Sequence, residues 1–228
     1  MIKKQNKLSQ RGFGLIDLMI SVSIGSVLMA GVTTLYVDSL KNSSVNITSI
    51  RVEQDLQAIV QLISSEMRRA GYDGDSASGG DTDFGIEEMA STCIRYSYDS
   101  GDTPDGAVSA NEKFGFRLNN NAVQFGSSVS NCTSGNWENI NNPDLVKVSS
   151  LNLNVIELCV NLADNSNCNV ADVGNDENPY VTPAVGDVMI KKYRLDLSIS
   201  GYSANDDSMT KSIEADIRIF NDLRKTKS

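Results

Sequence analysis

The chain has 228 residues, four cysteines, no histidine and a formal net charge of −9. The missing histidine removes Ser-His-Asp and Cys-His nucleophilic sites and every histidine-ligated metal centre. No carboxylate or lysine spacing argues for catalysis without it, so the expectation is not an enzyme and no cofactor, and the acidic balance argues against nucleic-acid binding.

The N-terminus carries the strongest signal. A short basic leader with Lys3, Lys4, Lys7 and Arg11 ends in Gly12, and Phe13 to Val37 then runs as 25 residues whose one charged side chain is Asp17. About 20 apolar residues cover the ~30 Å core of a bilayer. A secretory signal peptide would share the basic start, but its apolar region is shorter, and Asp17 would interrupt it. A plain single-pass anchor, oriented by the leader's cations, fits the length and leaves the intramembrane carboxylate unexplained.

Arg11-Gly12-Phe13-Gly14-Leu15-Ile16-Asp17-Leu18-Met19 resembles the class III signal of type IV prepilins and type II secretion pseudopilins. The resemblance implies cleavage by prepilin peptidase between Gly12 and Phe13, followed by N-methylation of Phe13. It also implies that Asp17, standing where the family usually has glutamate, pairs with the cationic amine of a neighbouring subunit. The alternative is a carboxylate in the first helical turn, stabilised by the helix dipole and its own chain's amine. Without its leader the chain keeps 16 Lys and Arg against 29 acids, a balance of −13.

The anchor is expected to continue as one helix to about Ala70, because no proline occurs before Pro104. Val52, Leu56, Ile59, Val60, Ile63, Met67 and Ala70 recur at spacings of three and four, one apolar face. Gly71 after Arg68 and Arg69 reads as a C-cap. Gly25, Gly31 and Asn42-Ser43-Ser44 are the weak points, and Ser21/Gly25 and Ser26/Ala30 are small-xxx-small pairs suited to close helix approach. Arg68 to Gly74, RRAGYDG, resembles the helix end of PilW-type minor pilins.

The predicted organisation is therefore a cleaved leader at 1–12, a transmembrane or polymerisation segment at 13–37, an amphipathic helix at 38–71 and a β-rich head at 72–228. Asp75 to Ser91 reads as an exposed loop. Strands are predicted over Thr92–Tyr98, Phe114–Leu118, Ala122–Phe125 and Leu151–Val160. Tyr193, Leu195, Leu197 and Ile199, then Ile213, Ala215, Ile217 and Ile219, alternate with polar residues. That pattern predicts a hairpin with one buried face and a turn at Gly201–Ser208. The fold class is α+β and pilin-like, with a long helix packed on an antiparallel sheet.

Cys93, Cys132, Cys159 and Cys168 all lie in the head, and export would place them where disulfides form. Of three possible pairings we favour Cys93–Cys132 and Cys159–Cys168, the second closing a short loop that leaves a strand. Neither C-x-x-C spacing nor histidine supports zinc. Aspartates at Asp73, Asp75, Asp81 and Asp83, and from Asp172 to Glu177, are the one hint of calcium, but they miss the EF-hand template and read as solvated loops. Arg224 to Lys227 reads as a solvated basic end.

The resemblance implies a PilW-like minor pilin, single-pass in the inner membrane with a periplasmic head before assembly into a surface pilus. Its partners would be prepilin peptidase, other minor pilins and the major pilin, and its processes pilus assembly, adhesion and twitching motility. The rivals are a type II secretion pseudopilin and an adhesin head on a pilin stalk.

Overall fold

The computed structural model describes residues 14–74, 84–100, 107–165, 167 and 188–226. They fall into two units that divide between Ile47 and Thr48. A single helix, α1 (Leu15–Met67), contributes to both.

In the first unit every residue from Gly14 to Ile47 is exposed, apolar ones included. The helix passes without interruption through Gly25, Gly31 and Asn42-Ser43-Ser44. Its hydroxyls bond back to the preceding turn: Ser21 Oγ donates to the Asp17 carbonyl at 2.7 Å and Ser23 Oγ to Met19 at 2.8 Å. Thr33 and Thr34 do the same to Met29 and Gly31. Polar groups that find partners inside the helix need none from the surroundings, the arrangement an apolar medium demands.

In the second unit the rest of α1 is amphipathic. All seven predicted stripe residues, Val52 through Ala70, are buried. They pack against two antiparallel sheets. The first has the order β1-β2-β3-β4-β5, a meander of β1 (Ile86–Ala90), β2 (Cys93–Ser97), β3 (Lys113–Asn119), β4 (Ala122–Ser127) and β5 (Asn136–Asn139). The second has the order β6-β7-β8: β6 (Val146–Asn161), β7 (Val188–Ser203) and β8 (Asp206–Thr226). Ile94, Tyr96 and Phe116 from one sheet and Leu195, Leu197 and Ile199 from the other close the core on the helix. The architecture is α+β and pilin-like.

Period-two alternation placed the strands because it survives whatever the sheet order is. The β3–β4 hairpin turns on Asn120 and Asn121, with φ of 49° and 62°, the left-handed pair that a two-residue hairpin loop needs. The sheets are joined through β6: the Leu153 N–H donates to the Ser91 carbonyl, and the Val148 N–H to that of Asn121, both at 2.9 Å.

Four expectations are corrected. The predicted 75–91 loop contains β1, whose Ile86-Glu87-Glu88-Met89-Ala90 shows no clean alternation; β2 templates it through Ile86↔Tyr96 and Ala90↔Cys93. The hairpin turn is not Gly201–Ser208, since β7 runs to Ser203 and β8 starts at Asp206. Gly201 is buried inside β7, where a Cβ would lie 2.9 Å from the Lys147 carbonyl oxygen and 3.1 Å from Leu56 Cδ2. It is glycine for close approach, not for turning. The α-helix stops at Met67 rather than Ala70. Residues 224–226 continue β8 instead of forming a loose end.

Candidate functional site

The functional surface begins where α1 begins. Gly14 opens the helix, its carbonyl accepting from the N–H groups of Asp17 at 3.0 Å and Leu18 at 3.3 Å. The Asp17 side chain turns back, and its Oδ2 accepts the Gly14 N–H at 3.3 Å. This satisfies one of the amides that every helix start leaves without a partner and sets a negative charge at the positive end of the dipole. Gly12 and Phe13, the two sides of the predicted cleavage, lie outside the described residues. The carboxylate thus caps the amide one residue beyond the amine that cleavage would create. Asp17 stands in the first turn, where the helix dipole favours a carboxylate, and its bond is to the Gly14 amide; Phe13, whose amine either role would use, lies outside the described residues.

From Leu18 to Val37 the exposed surface of the helix carries no charged side chain. Leu15, Ile16, Val27, Met29 and Leu35 are each more than 70% exposed. A soluble monomer rarely shows a contiguous apolar surface of this extent. Such a surface belongs in lipid or against other helices.

At the other end of α1, RRAGYDG forms a clasp within the second unit. The backbone leaves the helix at Gly71 (φ 77°). Its N–H donates to the Ser97 carbonyl of β2 at 2.9 Å, and the Asp99 N–H donates to Tyr72 at 2.9 Å. Glu66 is the hub: Oε1 meets Arg69 Nη1 at 3.1 Å, while Oε2 accepts from Tyr96 at 3.3 Å and Tyr98 at 3.4 Å. The Arg69 guanidinium lies 4.2 Å over the Tyr98 ring. Burial, and then the Glu66 charge, push the Tyr98 phenol up to about 12; the same two causes raise that of Tyr96. Asp99 Oδ2 accepts the Gly74 N–H at 3.3 Å. The motif fastens the helix end to the first sheet.

Cys93 and Cys132 are joined in a disulfide, which ties the segment before β5 to β2. Cys159 is also disulfide-bonded, whereas Cys168 lies outside the described residues. Trp137 lies over two glycines: a Cβ on Gly115 would sit 3.0 Å from the ring, and one on Gly126 would sit 2.8 Å from it. The Arg117 guanidinium covers it at 4.3 Å, and burial lowers the pKa of that guanidinium. Sequence reading missed Glu66, Tyr96, Tyr98 and Trp137, although an acid three residues before Arg69 was a visible signal. Asp73 is described, but Asp75, Asp81, Asp83 and 172–177 are not. Among the described residues no cluster of three or more acidic or cysteine side chains could hold a metal.

Comparison with known proteins agrees with this layout. The model of a family described as prepilin peptidase-dependent protein B matches residues 45–219, and that of the prokaryotic N-terminal methylation motif matches residues 7–33. Among curated proteins, the prepilin peptidase-dependent protein B of Escherichia coli (strain K12) is 24% identical over 148 residues, covering 63% of this chain and 76% of that protein. No solved structure matches the chain. The chain belongs to the prepilin peptidase-dependent protein B family, and with its methylation motif it is a type IV prepilin-like protein.

Proposed function

We propose that this member of the prepilin peptidase-dependent protein B family is a PilW-like minor pilin of a type IV pilus. It waits as a single-pass protein of the inner membrane with its head in the periplasm. Prepilin peptidase cleaves it between Gly12 and Phe13, and Phe13 is N-methylated. It then joins other minor pilins and the major pilin in the complex that primes the filament, on which adhesion and twitching motility depend. No step in this reading uses a cofactor.

The observation that carries the proposal is the exposed apolar half of α1, with one carboxylate at its start. An unpartnered ion in hydrocarbon costs several kcal/mol, whereas a paired one costs far less. Asp17 is therefore the group to receive the amine of a neighbouring subunit.

The test is a deletion strain complemented with the native chain or with Asp17→Ala. Deletion should remove surface pili and twitching, and normal filaments would overturn the priming role. Asp17→Ala should be processed normally yet fall about tenfold in sheared filaments, the loss expected of one ion pair worth ~1.4 kcal/mol. Unchanged recovery would overturn the pairing role. Co-purification with secretion components alone would reassign the chain to a secretion pseudopilus.

A further inference from the structure

We draw no further inference here: the strongest candidate, the trough across the outer face of the second sheet lined by Asn152, Asn154, Asp196, Ser198, Glu214 and Asp216, is an acidic cluster that Arg194 already serves through Asp196 and Asp216, and nothing in the structure shows what covers it.

Discussion

One helix lives in two environments. The first half of α1 exposes Leu15, Val27 and Leu28, while the second buries Val52, Leu56, Ile63 and Met67 to 1% or less. The backbone is the same throughout, and only the side-chain pattern changes. Where apolar residues occupy every face, no intramolecular surface can cover them all, so the segment stays available to lipid or other subunits. Where they recur only at spacings of three and four, a single stripe forms and two sheets cover it. The lesson is that periodicity, not hydrophobicity, decides which half belongs to the fold and which to assembly.

The sharpest way to break that contrast is to truncate one leucine in each half. Leu56→Ala empties a fully buried site beside Gly201 and should cost ~3–5 kcal/mol, by loss of transfer energy and creation of a cavity. Leu28→Ala removes a side chain that is 65% exposed and should leave head stability within ~0.5 kcal/mol. Chemical denaturation of both variants in detergent checks this. Equal losses would mean that the first half also contributes to the folded core.

Next in size is the Cys93–Cys132 bond, which spans a sequence separation of 39. Replacing both cysteines by serine, which leaves the disulfide of Cys159 intact, should cost ~2–4 kcal/mol, chiefly by freeing the unfolded chain. The bond anchors the segment beside Trp137, so the fluorescence of this single tryptophan should shift in that variant. Helicity of the first unit, followed by circular dichroism, should not change.

How much of this was legible follows the same physics. The apolar run, the stripe, the alternating β7–β8 hairpin and the Cys93–Cys132 pairing were readable because each is a local pattern or a short list of options. β1 was not, because Glu87 and Glu88 interrupt its alternation and its pairing with β2 is a tertiary event. Gly201 misled for a related reason. A glycine admitting Leu56 to a strand looks, in one dimension, like a glycine that turns the chain. At Asp17, the sequence posed two roles that both involve an N-terminal amine; the bond to the Gly14 amide within the first turn is a third contact that the sequence did not suggest.

A third prediction concerns the clasp that holds the buried half in place. Tyr98 titrates at about 12 in the fold against 10 in the open chain, so folding favours the neutral phenol. Its contribution is fully present below pH 10 and is lost as the pH rises from there towards 12. Tyr193, also raised to about 12 by burial and the Glu157 charge, adds to the same window. Denaturation midpoints should therefore stay flat up to about pH 10 as far as these groups act, and fall above it. Tyr98→Phe should reduce the alkaline fall while losing the bond to Glu66. A fall of unchanged steepness in that variant would place the sensitivity elsewhere.

The smallest effect is the most discriminating for the exposed half. A Cβ on Gly25 would meet nothing within 4 Å, so Gly25→Ala introduces no clash within the chain. It should stabilise the helix by up to ~1 kcal/mol through helix propensity alone and leave head melting unchanged. Any loss of that variant from sheared filaments must then arise outside the chain, from a partner helix that approaches too closely to admit a methyl group, as small-xxx-small packing allows. Normal incorporation would show instead that this face looks onto lipid or solvent in the filament, and that the close approach lies on another side of α1.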